Sequence, residues 1–137
     1  MPPWRPCLDS RLSRVSYSEA ISVTTAQARE AAPLQIEASE LADWRESKRA
    51  HAVLDVREPW ETEICRIADS LVVPMGQLAS RLEEVPKDRP LVVVCHHGMR
   101  SLQATVWLRS KGIGQAFNLA GGIDAWARQI DHSMAVY

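Results

Sequence analysis

The chemistry of this chain is concentrated where a cysteine separates an apolar run from a short polar loop. Leu91–Val94 are all apolar, Cys95 follows directly, and a helical pattern is expected from Leu102. This order predicts a buried strand that ends at a thiol facing a helix N-terminus. Ligands bind at that end of the strands in open α/β sheets, and a helix N-terminus presents unpaired N–H groups. We therefore predict a nucleophilic thiolate at Cys95, beside a site for a sulfur-bearing anion.

The loop after the cysteine has residue types that suit anion binding. Gly98 allows the chain to turn and aim its N–H groups inward. Arg100 adds a positive charge that does not titrate near neutral pH. Ser101 can cap the helix or donate a hydrogen bond. The predicted substrate-binding residues are His96, His97, Gly98, Met99, Arg100 and Ser101.

The adjacent histidines have an alternative interpretation as metal ligands together with Cys95. Contiguous ligands rarely converge on one ion, and no second group of ligands lies nearby in the sequence. We therefore expect no metal, and we predict that His96 and His97 line the rim of the pocket and tune its charge near neutral pH.

Cys95 also has an alternative interpretation, as an inert cysteine that ends a core strand, because cysteine is often buried. The catalytic interpretation requires that solvent can reach its sulfur. Cys7 and Cys65 are predicted to be structural or incidental, although Cys65 could act as a resolving thiol for Cys95. Three widely spaced cysteines without a CxxC pair predict neither a disulfide framework nor a zinc site.

Length, composition and charge limit the classes of function. The chain has 137 residues, enough for one domain, and 46% of them are apolar, which is sufficient for a core. A formal net charge of −1 argues against nucleic acid or an anionic membrane as the main partner. No apolar run approaches the length of a membrane span. A free reactive thiol suits a reducing compartment, so we predict a cytoplasmic protein.

Strand-like and helix-like segments alternate from residue 34 onward, and the clearest strands are uniformly apolar. This pattern predicts an α/β fold with a parallel central sheet covered by helices on both faces. The predicted strands are 34–36, 52–56, 71–73, 91–94 and 116–119. The predicted helices are 40–48, 77–84, 102–110 and 123–130, together with a short helix that begins within 58–61. Ser39 is the predicted N-cap of the first helix. Residues 1–33 are predicted to be an N-terminal extension, loosely ordered or docked, with a short helix over 24–32. The domain proper is predicted to span 34–137.

Three segments, in this order, resemble the rhodanese family of sulfurtransferases. Asp55–Glu61 is similar to the family's D-V-R-E-x-x-E segment, and Val92–Ser101 is similar to its active-site strand and loop. Asn118–Trp126 is similar to its L-x-G-G-x-x-x-W stretch. The whole loop resembles that of a bacterial single-domain subgroup, and the resemblance runs from about residue 34 to the C-terminus.

The resemblance implies the rhodanese three-layer fold and a reaction. Cys95 would accept a sulfane sulfur from a donor such as thiosulfate and hold it as a persulfide among the backbone N–H groups of residues 96–101. It would then pass the sulfur to cyanide or to a thiol, free or on a protein, with no cofactor and with a covalent intermediate. Arg100 and the two histidines favour a dianion such as thiosulfate over mercaptopyruvate. Polysulfides, glutathione persulfide and a protein persulfide stay open as donors.

Two other functions compete with this interpretation. Phosphatases related to this fold need a longer spacer than the four residues that separate Cys95 from Arg100, so phosphatase activity is not expected. The second alternative is a non-catalytic rhodanese module that serves a protein partner as a persulfide carrier or sensor. The chain also departs from the family where Cys65–Ser70 stands in place of the usual G-H-I-P-G-A, so the resemblance does not predict the conformation of that turn.

Overall fold

Five short strands, all parallel, form the centre of the fold. The computed structural model describes residues 33–137. The strands are β1 (Gln35–Ile36), β2 (Ala52–Asp55), β3 (Leu71–Val72), β4 (Leu91–Val94) and β5 (Ala116–Leu119). Their order across the sheet is β1-β5-β4-β2-β3. Parallel pairing is confirmed at every contact between these strands, and each one agrees with its predicted position to within one residue at either end.

Four α-helices lie within the described residues: α1 (Ala38–Glu46), α2 (Pro59–Ile64), α3 (Met99–Ser110) and α4 (Gly122–Gln129). Ser39 was predicted as the N-cap of α1, but it lies inside that helix and Glu37 takes the N-cap position. The longest of the four, α3, has 12 residues, and no described helix has the length and apolarity needed to cross a bilayer. The helix predicted over 24–32 and Cys7 lie outside the described residues, as does the rest of the predicted extension before Pro33.

The helix predicted over 77–84 is wrong, because the chain forms two 3₁₀ turns there, Met75–Gln77 and Leu82–Glu84. Val85 follows the second turn with an extended backbone, at φ −83° and ψ 124°. An extended conformation is preferred for the residue before a proline, here Pro86, and Val85 is also buried. The backbone is therefore extended at Val85, directly after the second 3₁₀ turn ends at Glu84.

Side chains on alternate positions of the central strand face opposite sides of the sheet, and helices cover each side. Val92 and Val94 pack with buried residues of α1 and α4 on one face. Val93 and Cys95 pack with buried residues of α3 and of the segment of 3₁₀ turns on the other. The predicted α/β architecture, with helices on both faces of a parallel sheet, is thus confirmed. It places Cys95 at the carboxyl end of the central strand, beneath α3.

Candidate active site

Cys95 lies where β4 ends, and its sulfur is close to the first turn of α3. The Gly98 N–H donates to Cys95 Sγ at 3.1 Å, and the Ser101 hydroxyl lies 3.2 Å from the same atom. Gly98 is the N-cap of α3, with φ 101°, so the positive end of the helix dipole lies beside the sulfur. These donors stabilise negative charge on the sulfur, which is what a nucleophilic cysteine requires.

Cys95 is more deeply buried than the sequence indicated. It is 1% exposed and belongs to the core cluster beneath α3, so the expectation of a solvent-accessible thiol is not met in this structure. α3 begins at Met99 and not at Leu102, which leaves a loop of only three residues, His96–Gly98, between strand and helix. A loop this short keeps the sulfur within hydrogen-bond distance of the first turn of α3. Among the described residues, the groups that contact Sγ are the Gly98 N–H and the Ser101 hydroxyl, rather than a full ring of amides from 96–101, and the hydroxyl also contacts Asn118 Oδ1.

The N-terminus of α4 holds the loop from behind. The Ile123 N–H donates to Cys95 O at 2.8 Å, and the Asp124 N–H donates to His96 O at 3.0 Å. Gly122 has a φ of 64°, and a Cβ at this position would lie 2.4 Å from His96 O. Only glycine permits so close an approach. The second glycine of the predicted L-x-G-G stretch therefore serves the cysteine loop.

Asn118 connects Ser101 to the loop. Its Oδ1 accepts a hydrogen bond from the Ser101 hydroxyl, and its Nδ2 donates to Gly98 O at 3.2 Å and to Gln35 Oε1 at 3.1 Å. One hydroxyl proton cannot serve both Asn118 and Cys95 at once. A neutral Cys95 thiol can donate to Ser101, whereas a thiolate must accept from it. Sequence reasoning assigned Asn118 no role, although it begins one of the three recognised segments.

Arg100 is paired with a carboxylate that sequence reasoning did not single out. Its Nη1 and Nη2 each lie 2.8 Å from an oxygen of Glu61. The hydrogen-bonded Arg100 lowers the pKa of Glu61 to about 2, against the effect of burial. Arg100 therefore carries the predicted positive charge next to a carboxylate that compensates it. The last position of the D-V-R-E-x-x-E segment was the signal available in the sequence.

A buried arginine braces the segment that departs from the family pattern. Arg57 Nη2 lies 2.7 Å from Asp55 Oδ2 and donates to Cys65 O, also at 2.7 Å. Arg57 Nη1 donates to Glu61 O at 3.2 Å and to the Tyr137 hydroxyl at 2.9 Å. Burial opposes the charge, but the hydrogen bonds to Asp55 and Tyr137 raise the pKa of Arg57 above its ordinary value. Asp55 therefore holds the guanidinium of Arg57, which in turn holds the Cys65 carbonyl.

The rings of His96 and His97 are stacked, at a centroid distance of 3.9 Å and an angle of 29°. His97 is exposed, whereas His96 is half-buried and its Nε2 is a buried atom with no hydrogen-bond partner among the described residues. Together with Asp124 they bring atoms of metal-ligand type within 4.8 Å of one another. Stacked imidazoles direct their lone pairs along similar planes, which do not converge on one ion, and Asp124 already pairs with Arg128 at 3.0 Å. We assign no metal to this cluster. His97 and Met99 are both well exposed at the rim, at 61% for the His97 side chain and 71% for Met99.

Comparison with known proteins shows that this chain is similar to proteins named as sulfurtransferases. Residues 37–129 match the family model described as Rhodanese-like domain. The chain is 45% identical over 76 residues to a sulfurtransferase of Allochromatium vinosum, a match that covers 56% of this chain and 71% of that protein. It is 36% identical over 126 residues to the probable adenylyltransferase/sulfurtransferase MoeZ of Mycobacterium tuberculosis, covering 90% of this chain and 32% of that protein. This chain therefore spans about a third of the length of MoeZ. The structure of the human single domain sulfurtransferase TSTD1 is similar, with a TM-score of 0.64 and 29% identity over 70% of this chain and 96% of that one.

Proposed function

This chain belongs to the rhodanese-like domain family, and on that premise we propose that it is a sulfurtransferase that carries sulfur on Cys95. The observation that carries the proposal is the pair of donors at Cys95 Sγ, the Gly98 N–H and the Ser101 hydroxyl, at the N-terminus of a helix. An inert core cysteine needs no such donors, because it behaves as a small apolar side chain. Relatives named as sulfurtransferases support the same class of reaction.

The proposed reaction has two steps. In the first, the Cys95 thiolate attacks the outer sulfur of thiosulfate; a new S–S bond forms, the donor's S–S bond breaks, and sulfite leaves with the electron pair. In the second, cyanide or a thiolate attacks the terminal sulfur, and thiocyanate or an acceptor persulfide leaves as the Cys95 thiolate is regenerated. Charge and electrons balance in both steps, and the sequence of steps needs no cofactor.

Access to the sulfur is part of the proposed mechanism. Because Cys95 is 1% exposed, the His96–Gly98 loop must open for a donor to enter and again for an acceptor. The N–H groups in the first turn of α3 have no acceptor within their own helix, and they would meet the negative charge of the donor. We propose a small sulfur-containing anion, either thiosulfate or a persulfide, as donor and a thiol, free or on a protein, as acceptor. A reducing compartment such as the cytoplasm suits this exchange.

A second candidate function is a persulfide carrier or sensor that exchanges sulfur only with a protein partner. The burial of Cys95 favours it, because a partner that bound at the rim would open the loop. Thiocyanate formation from thiosulfate and cyanide tests the first candidate, with Cys95→Ser as the disabled variant and Cys65→Ser as the matched control. Turnover in the wild type and the control alone would support the sulfurtransferase. A wild type that gains sulfur without turnover would support the carrier, and the absence of both would contradict both candidates.

A further inference from the structure

Tyr137 contacts the active-site loop although it lies beyond the family match, which ends at residue 129. Its ring stacks on that of His96 with centroids 3.8 Å apart and planes at 7°. His96 directly follows Cys95 and is itself stacked on His97. Three rings therefore form a continuous stack with His96 in the middle, and Tyr137 covers the face of His96 that His97 leaves open.

The Tyr137 hydroxyl is held between two charged side chains. It accepts a hydrogen bond from Arg57 Nη1 at 2.9 Å and donates one to Glu61 Oε1 at 2.8 Å. Burial raises the pKa of Tyr137 to about 12; the bond from Arg57 works against this rise, and the bond to Glu61 adds to it. The phenol is therefore protonated at neutral pH and can always donate to Glu61.

Through these contacts Tyr137 interacts with both ends of the segment His96–Arg100, directly at His96 and through Glu61 at Arg100. At the beginning of the segment it touches His96 directly. At the end it shares Glu61 with Arg100, which lies in the first turn of α3. Loss of the hydroxyl would remove one of the two donors to Glu61 Oε1 and leave Arg100 Nη2 as the other. Loss of the ring would remove the stacking contact with His96.

We propose that Tyr137 is a positioning residue for sulfur transfer, which holds the segment His96–Arg100 closed over Cys95 with the Gly98 and Ser101 donors aimed at its sulfur. This inference rests on the proposed function of Cys95 and deepens it. A thiol that is 1% exposed reacts only when the loop opens. The contacts of Tyr137 therefore control two quantities: how often a reagent reaches the sulfur, and how well the Gly98 and Ser101 donors stay aimed at the sulfur when the reagent arrives.

Two variants separate the roles of the ring and the hydroxyl. Tyr137→Phe keeps the stack on His96 and removes the hydrogen bonds, whereas Tyr137→Leu removes both. Phe117→Leu is the matched control, because Phe117 is also a half-buried aromatic residue and its ring packs against Trp44 and Arg109. For each protein we would measure the melting temperature, the rate of Cys95 alkylation by iodoacetamide from peptide mass spectra, and the single-turnover rate of persulfide formation with thiosulfate.

We expect Tyr137→Leu to raise the alkylation rate at Cys95 about three- to tenfold, and to slow persulfide formation by a similar factor, as the loss of a few side-chain contacts would. Tyr137→Phe should fall between this variant and the wild type. Phe117→Leu should lower the melting temperature and leave both rates unchanged. Wild-type rates in Tyr137→Leu would overturn the proposal. So would changes that Phe117→Leu reproduces at an equal loss of melting temperature.

The two measurements also distinguish this inference from the proposed function. Alkylation needs only a reachable thiol and does not depend on any sulfur donor. If the wild type were alkylated at Cys95 but never gained sulfur from thiosulfate or from an organic persulfide, sulfur transfer would be refuted. The alkylation rates alone would then decide whether Tyr137 holds the loop closed.

Discussion

Glu61 and Arg100 form a two-point ion pair in which both N–O distances are 2.8 Å. The residues lie 39 positions apart in the chain, so the pair ties α2 to the first turn of α3. The Glu61 side chain is 4% exposed and that of Arg100 is 38% exposed. Arg100 is therefore a support for the closed loop, and its charge is already balanced before any anion arrives.

Replacing Arg100 tests this support directly. Arg100→Ala should lower the free energy of unfolding by about 1–3 kcal/mol, because a buried carboxylate loses its partner, while solvent near Arg100 keeps the loss below that of a fully buried pair. Adding Glu61→Gln should recover part of the loss, since a neutral amide costs less to leave unpaired. Urea unfolding of the wild type, both single variants and the double variant measures the coupling. Losses that simply add would show that the pair contributes nothing.

Acid should weaken the fold through Glu61. Its pKa is lowered from an ordinary value of 4.5 to about 2, chiefly by the hydrogen-bonded Arg100, so the folded chain binds fewer protons than the unfolded chain in this range. The stabilisation is complete above about pH 4.5 and is lost as the pH falls toward 2. Melting temperatures should drop more steeply across this window in the wild type than in Glu61→Gln. Parallel curves would contradict this assignment.

Gly122 should tolerate no side chain. Gly122→Ala would place a Cβ 2.4 Å from His96 O and 2.5 Å from Cys95 O, at a φ of 64°. The loop carbonyls would have to shift, so we expect a loss of at least about 2 kcal/mol in stability and of sulfur transfer. Gly76→Ala is the control, because a Cβ there meets nothing within 4 Å. Chemical unfolding and thiocyanate formation measure both effects, and equal behaviour of the two variants would contradict the close approach.

Ser101 should act on the reaction and also on the fold, because its hydroxyl lies beside Cys95 Sγ and pairs with the buried Asn118 Oδ1. Ser101→Ala removes a donor that lies 3.2 Å from Cys95 Sγ, and persulfide formation in a rapid-quench experiment should slow by about tenfold or more, as for a hydrogen bond to a charged group. Ser110→Ala is the matched control on the same helix, where the hydroxyl donates to Trp107 O. Equal rates in the two variants would exclude Ser101 from the chemistry.

The architecture was predictable because its signals are local. Four consecutive apolar residues, Leu91–Val94, mark a strand buried on both faces, and alternation of such runs with helical segments implies parallel pairing. The segment 77–84 was predicted as a helix from two leucines four residues apart, but Arg81 leaves helical geometry, at φ −117° and ψ 23°, and the chain forms 3₁₀ turns instead. The start of α3 was placed three residues late, because Gly98 is an unusual N-cap that offers no side-chain acceptor.

The site was predictable only in part, for a related reason. The cysteine and its two donors, Gly98 and Ser101, lie within a few residues of one another, and local spacing was sufficient to find them. The partners of Arg100 and His96 come from distant parts of the chain, Glu61 and Tyr137, and only tertiary packing brings them together. Cys95 is buried in a cluster that includes residues of α3 and of the segment of 3₁₀ turns, which only tertiary packing brings together.

The most direct test of sulfur transfer is the mass of the protein after incubation with thiosulfate, followed by peptide mapping of the modified residue. We predict the gain of one sulfur atom on the peptide that contains Cys95, removed by cyanide, retained in Cys65→Ser and absent in Cys95→Ser. Sulfur on another cysteine, or no gain with either thiosulfate or an organic persulfide, would contradict the proposal that Cys95 carries the transferred sulfur.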